Sequence, residues 1–486
     1  MKKGKIQSNC HRWKLRQAVF RVGVLWVVLA PLLIIEIVFR LWVPDPGMGQ
    51  NDPYVSFAGL QPLFVLNVNG TTFNTAKERL HYFCPQSFPA SKAKDTFRIF
   101  CIGGSTVQGR PYSVETSFST WLKLNLQAIC PDKNIEMINC GGISYASYRL
   151  APILQELLGY ESDLFILYTG QNEFLEERTY RRLRRMPRSL IRLHRSLLWL
   201  RTYRVANHYL HAQRDQKQVK TKLPPEVNPK LDLEAGVQTY QRDLPGQQSI
   251  IEHFRYNVEH MVRLTRQENI PIVLMNPVSN LEDCPPFKSE FRADLSVQDR
   301  NRINTLWERA RHWETTDPWG KLRLLEQAIA LDQTHAGLLF QAGKSAVLTG
   351  NQKRARQWFI QAKEQDICPL RMLEPMHDIV KQIAAQNAVP LVDVRHLIEQ
   401  QSDGHIPGSQ WLLDHVHPTI DGHQLIADAI IDTLADMQFI HCPSDWNNQR
   451  ATLWEDHLTS LEEGYYQEGF VHLKMLEAWA RRRGGE

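Results

Sequence analysis

The rhythm of apolar and polar positions changes near residue 97. From there, short apolar runs alternate with stretches of helical period. Phe97–Ile102, Ile135–Asn139, Asp163–Tyr168, Pro271–Met275 and Val389–Val394 are too short for helices and rich in Ile, Val, Leu and Phe. Between and after them, Ser117–Ile129, Tyr148–Leu158, 250–267, 374–387 and 420–437 place apolar residues at three- and four-residue spacing. Strands that alternate with helices and are apolar on both faces predict parallel pairing in a sheet covered on each side. The expected fold is α/β: a doubly wound, three-layer α/β/α domain with a five-stranded parallel sheet. A ligand in such a sheet is expected beyond the carboxyl ends of the strands.

The alternation breaks between Asn276 and Arg371, which splits the α/β domain into 96–276 and 370–440 around an insertion over 277–369. Leu339, Gly343, Gly350, Ala355, Phe359 and Ala362 fall at the spacing of a tetratricopeptide repeat, with smaller residues at Ala342 and Ala346. Ala328–Asp332 resembles the end of a preceding repeat. One repeat and a half cannot build a solenoid. The expectation is a small all-α insertion, TPR-like over 336–369, docked on the α/β domain and open to a protein partner. Residues 44–95 read as an irregular lead-in with edge strands. The tail over 441–486 reads as a helix pair from Trp454 to Arg483, without assigned chemistry.

The N-terminus changes the picture. Lys2, Lys3, Lys5, Arg12, Lys14, Arg16 and Arg21 precede an apolar run from Val22 to Phe39, broken by the charge of Glu36 and closed by Arg40. A cationic tail (1–21) before a run just long enough to span a bilayer (22–43) predicts a single-pass signal anchor. The N-terminus would then be cytoplasmic and the body periplasmic or extracellular. A buried soluble helix is the competing reading of the same run. The net charge of +5 is mild for 486 residues, and no nucleic-acid-binding signature is present. The eight cysteines form no Cys-x-x-Cys, so no metal site is expected; a Cys284–Cys368 bridge is an open possibility. Residues 178–222, within a basic helical segment over 176–224, hold 14 Arg and Lys against one Asp. That segment fits a lid, a contact with an anionic membrane, or a plain surface helix.

The candidate chemistry sits at the strand ends. Phe100-Cys-Ile-Gly-Gly-Ser105 carries an apolar strand into a Gly-rich turn that presents a serine. A serine hydroxyl needs a base, and His417 is the candidate; Asp414, three residues earlier, can orient it and stabilise the imidazolium. Attack on an ester would create an oxyanion. The candidate donors are the Ser105 N–H, the N–H of Gly141 or of adjacent Gly142 in Asn139-Cys-Gly141-Gly142, with Gly141 favoured by its spacing from Asn139, and the side-chain amide of Asn172 in Gly170-Gln-Asn172-Glu173. Arg371 and Trp411 are candidate substrate contacts. A pair between Arg371 and Glu374, three residues on, is the plainer reading of the arginine.

In chain order, Gly103-Gly-Ser105, Asn139-x-Gly141, Gly170-x-Asn172 and Asp414-x-x-His417 resemble the four blocks of the SGNH/GDSL hydrolases. The resemblance covers about 97–176 and 370–437. It implies an α/β/α fold, an acyl-serine mechanism and no metal or cofactor. Two positions depart from the family: Gly104 stands where an Asp precedes the serine, and Glu173 where an Asp follows the asparagine. Together with the N-terminal anchor, the resemblance implies a membrane-anchored serine ester hydrolase acting on a small-molecule, lipid or polysaccharide ester, with carbohydrate O-acetyl groups among the candidates. An O-acyltransferase using the same acyl-enzyme, and a non-catalytic TPR-like scaffold on a hydrolase core, are the alternatives.

Overall fold

The structure is a computed structural model. It describes residues 30–43 except 32, 62–176, scattered positions between 197 and 232, 236–313 and 317–483. The chain divides into two units: Met1–Leu60 with Thr179–Pro224, and Gln61–Arg178 with Pro225–Glu486.

In the smaller unit, a helix over 30–42 exposes Ile34, Ile37, Val38, Leu41 and Trp42. Glu36 is the exception on that helix. Its buried carboxylate accepts Arg40 Nε at 2.9 Å, the backbone N–H groups of Arg201 and Thr202 at 2.7 and 3.0 Å, and Thr202 Oγ1 at 2.8 Å. Among the described residues no helix is long and apolar enough to cross a membrane. Half of the apolar run over 22–39 and most of the basic segment 176–224 lie outside the described residues.

The larger unit opens with an antiparallel sheet of β1 (Phe64–Leu66), β2 (Thr72–Thr75) and β3 (Ser87–Pro89). The main sheet follows: β4 (Thr96–Gly103), β5 (Asn134–Gly141), β6 (Leu164–Tyr168), β7 (Ile272–Met275) and β8 (Leu391–Val392). Its order is β5-β4-β6-β7-β8 and every pairing is parallel. The chain moves from β4 to β5 on one side and then crosses back to β6 on the other. The topological switch point therefore lies at the end of β4, where a crevice opens in folds of this kind.

Helices fill both faces. In chain order they are α1 (Ser105–Gln108), α2 (Phe118–Ile129), α3 (Ser147–Leu157) and α4 (Leu244–Gln267), then α5 (Val297–Arg311), α6 (Pro318–Leu331), α7 (Ala336–Leu348) and α8 (Gln352–Glu364). α9 (Glu374–Asn387), α10 (Val394–Gln401), α11 (Ile420–Asp436), α12 (Trp446–Ser460) and α13 (Glu463–Arg483) complete the unit. Alternate residues of each strand point to opposite layers. Phe100, Ile102, Phe165, Leu167 and Leu274 pack against α3, α4 and α9; Ile99, Cys101, Ile166, Tyr168 and Val273 pack against α2 and α11. This double burial is why the strands read as continuous apolar runs rather than alternating ones.

Between β7 and α9, helices α5–α8 pack each on the next around their own core of Leu325, Ala328, Leu339, Ala342, Ala355 and Phe359. Gly343 of α7 faces Phe359 of α8 so closely that a Cβ there would stand 2.7 Å from the ring. Elements differ from the sequence expectation at their ends. α4 starts at Leu244 because Asp243 caps it, accepting the Gly246 N–H at 2.9 Å, with a proline in the first turn. β8 pairs over two residues only, since Ala388 ends α9 in the left-handed region and Pro390 has no N–H to give. The C-terminal pair begins at Trp446, where α12 lies on α2 with Trp454 Nε1 donating to Asn125 Oδ1 at 3.0 Å. Cys284 and Cys368 are both free thiols, so the bridge considered from sequence is not formed.

Candidate active site

β4 ends at Gly103, Gly104 is extended, and α1 begins at Ser105. This strand-to-helix turn puts the serine at the switch point, on the first residue of a helix, where its N–H has no intrahelical acceptor. α1 is only four residues long and is pinned from three directions. Thr106 Oγ1 donates to Gln171 Oε1 at 3.0 Å, beyond β6. The Val107 carbonyl accepts Asn139 Nδ2 at 2.6 Å, from β5. Gln108 Nε2 donates to the Tyr82 carbonyl at 3.0 Å, from the lead-in segment. A helix too short to be stable alone is thus fixed by its surroundings.

Ser105 Oγ lies 2.7 Å from His417 Nε2, and His417 Nδ1 lies 2.6 Å from Asp414 Oδ2. Asp414 Oδ1 accepts the backbone N–H groups of Val416 and His417, each at 2.9 Å. Burial works against a charge on Asp414, but its electrostatic interactions with the His417 and His415 rings and these hydrogen bonds outweigh it and hold the carboxyl well below the ordinary range. An ionised carboxylate can only accept, so the His417 proton is on Nδ1. Nε2 then carries the lone pair and Ser105 O–H donates to it. Neighbouring His415 is pushed down to about 4, first by burial and despite Asp414, so it stands neutral beside the pair.

Asn172 follows β6 and donates through Nδ2 to the Tyr145 carbonyl at 3.1 Å. The same nitrogen would stand 2.6 Å from a Cβ on Gly104, so the amide lies against the turn that carries Ser105. That contact explains the glycine at 104: a side chain there would meet Asn172. Glu173 is buried and accepts Ser147 N and Oγ at 2.7 and 3.0 Å, so it caps the start of α3.

The expectation for Gly141 needs correction. Its N–H donates to Asn139 Oδ1 at 2.9 Å, and its Cβ direction is filled by the Val107–Gln108 backbone. It is a packing glycine beneath α1 and has no donor to offer. The residue that sequence reasoning missed is Ser144. It stands in the left-handed region at φ 63, one residue before Tyr145, whose carbonyl Asn172 holds. Among the described residues no acceptor takes the Ser144 N–H. The signal in the sequence was faint: a serine, rather than a glycine, in the turn Gly142-Ile-Ser144-Tyr145.

The two candidate substrate contacts do not meet the triad as expected. Trp411 packs on the core beside α11, with Nε1 directed at the Gln401 carbonyl, 3.4 Å away. Arg371 is buried and donates through Nη1 to the carbonyls of Asn280 and Cys284 at 2.9 and 2.7 Å. It makes no pair with Glu374, which instead meets Lys363 and Arg395 at 3.0 and 2.8 Å.

No family model matches the sequence, and no curated protein matches it. The chain is similar to solved structures only at low identity and low TM-score. A catalytic mutant of an acetylxylan esterase from Geobacillus stearothermophilus is 13% identical, covering 71% of this chain and 96% of its own, with a TM-score of 0.32. A GDSL-like lipase from Bacteroides thetaiotaomicron is 10% identical, covering 72% of this chain and 93% of its own, with a TM-score of 0.30. An α/β hydrolase from the metagenome of Lake Arreo is 13% identical, covering 71% and 97%, with a TM-score of 0.32. Likenesses this distant decide no chemistry. The functional reading stands on the geometry of the serine, histidine, aspartate and asparagine.

Proposed function

We propose that the chain is a serine ester hydrolase of SGNH type. The observation that carries the reading is the unbroken hydrogen-bond path from Ser105 Oγ through His417 to Asp414, at 2.7 and 2.6 Å. In the reaction Ser105 Oγ attacks the ester carbonyl carbon as His417 Nε2 takes its proton. Asp414 keeps the ring in the required tautomer and stabilises the imidazolium. The oxyanion is met by the Ser105 N–H, by Asn172 Nδ2 and by the Ser144 N–H, the last in place of Gly141. His417 then returns the proton to the leaving alcohol. Water attacks the acyl-serine by the same steps in reverse.

The body is proposed to be held at a membrane, outside the cytoplasm, by the N-terminal run. In support are the cationic flank before Val22 and the exposed apolar side chains of the helix over 30–42. The insertion is proposed to be TPR-like and to take a protein partner, supported by the Gly343–Phe359 contact at positions of the repeat spacing. The substrate class is an O-acyl ester of a small molecule, lipid or carbohydrate.

The test treats the full chain with a fluorophosphonate probe and maps the labelled peptide. The expected result is modification at Ser105 that disappears in H417A. A folded protein that stays unlabelled would overturn the reading. Turnover of an acetate ester with an added polyol then separates hydrolysis from transfer by the products formed.

A further inference from the structure

The helical insertion leaves the sheet after β7 and returns at α9; the outgoing crossing runs beside the His417 loop, and the returning one is bonded to the outgoing one. On the way out, Asn280 N donates to the His415 carbonyl at 3.0 Å. Phe287 stands edge-on to the His415 ring, centroids 5.3 Å apart. On the way back, the Asp366 carboxylate accepts the N–H groups of Phe287 and Lys288 at 2.8 and 3.0 Å. Arg371 closes the joint. Its Nη1 holds the carbonyls of Asn280 and Cys284, and its Nη2 lies 3.6 Å from Asp366 Oδ2.

This is an expensive way to hold a loop. Arg371 is 2% exposed, and its Nε and Nη2 have no hydrogen-bond partner among the described residues. A buried cation held by two carbonyls and one carboxylate at 3.6 Å is weak evidence of a gain in stability. A rigid guanidinium on two carbonyls does fix a backbone conformation. The segment it fixes reaches both halves of the site. Through Asn280 it meets His415, whose Nδ1 is 3.6 Å from Asp414 Oδ1. Through the Val278 carbonyl it accepts Gln171 Nε2 at 3.1 Å, and Gln171 holds Thr106, next to the nucleophile.

We propose that Arg371 is a positioning residue: from the root of the helical insertion it holds residues 278–287 against the neighbours of Ser105 and of Asp414, and so sets the serine–histidine geometry. The inference rests on the hydrolase reading. It makes the insertion a structural member of the site rather than an appendage, so a partner that strains the insertion would alter turnover.

The test uses the full chain carrying R371A, R371K or F287L. Two readouts are taken: kcat and KM on an acetate ester, and the downfield proton resonance of His417 Nδ1–H. R371A is expected to lower kcat about 10- to 100-fold, the scale of a small misplacement, with KM within about twofold, and to shift the resonance. R371K should recover part of the loss by reaching one carbonyl. Wild-type kcat and resonance in a folded R371A overturn the proposal, and so does a loss confined to KM, which would make Arg371 a substrate arm. If R371A does not fold, F287L carries the same expectation, and its being silent in both readouts overturns the proposal. A wild-type chain that shows the resonance but hydrolyses no ester and takes no probe defeats the hydrolase reading alone; the resonance in R371A still decides the positioning role.

Discussion

Gly104→Ala displaces the proposed oxyanion donor, the Asn172 amide, without replacing it. The residue is extended at φ −85, so alanine meets no left-handed strain. Its new Cβ would stand 2.6 Å from Asn172 Nδ2. Contact between such atoms is comfortable at about 3.5 Å, so the amide must retreat by roughly 1 Å. The amide is the far end of a flexible side chain, and its displacement costs at most its bond to the Tyr145 carbonyl, about 0.5–1.5 kcal/mol. Replacing glycine at a compatible site returns about 0.4–1 kcal/mol through the unfolded chain. Folding stability should therefore change by no more than about 1 kcal/mol. Catalysis should not be spared. Withdrawing one oxyanion donor is worth roughly 2.7–4 kcal/mol, a fall in kcat of about 10²–10³. The assay is single-turnover acylation and steady-state hydrolysis of an acetate ester by wild type, G104A, N172A and the double variant, with melting curves on each. The two changes act on one donor, so G104A should cost little once Asn172 is alanine. A G104A enzyme with near-wild-type kcat, or losses that multiply in the double variant, would refute the reasoning.

Two further outcomes follow from particular side chains. Ser144→Gly should be at least as stable and active as wild type, because it relieves a left-handed serine; Ser144→Val should lose about 1–2 kcal/mol and most of its kcat, measured by thermal melting and ester turnover. Glu374 is held down at about 2, burial opposing but Lys363 and Arg395 prevailing. Its contribution is therefore present above the usual carboxylate range and lost as pH falls from about 4.5 toward 2. E374Q should cost roughly 1–3 kcal/mol at neutral pH, discounted for a side chain one-third exposed. The gap in denaturant midpoint from wild type should narrow as pH falls below about 4.5 and close near 2; a constant gap would count against the ion pairs as its source.

Strands buried on both faces advertise themselves, which is why the order of elements around β4–β7 was readable from apolar runs alone. Ser105 was readable for a related reason: it sits where one of those runs stops, whereas Asp414 and His417, in the loop before α11, were legible only from their own spacing. The oxyanion turn was not. Gly141 has the expected residue type, yet its amide is consumed by Asn139, while Ser144 offers its N–H from a conformation that a serine does not announce. The Arg371–Glu374 pairing failed because the three-residue rule holds within a helix, and α9 begins at Glu374. What Arg371 grips instead lies about ninety residues back, beyond any local pattern.

The four helices between β7 and α9 also dictate an order of events. Ser105 and His417 are 312 residues apart in the chain. β4, β5 and β6 are near neighbours in sequence and can pair early, with the nucleophile turn already shaped by Asn139 and Gln171. The base arrives only after a whole helical subdomain has been made, folded or at least threaded past, and after an edge strand of two residues has found β7. A chain emerging from the ribosome thus carries, for most of its synthesis, a serine without a base. Activity switches on near the last step of folding, so its onset would time the docking of the final strand and of α11.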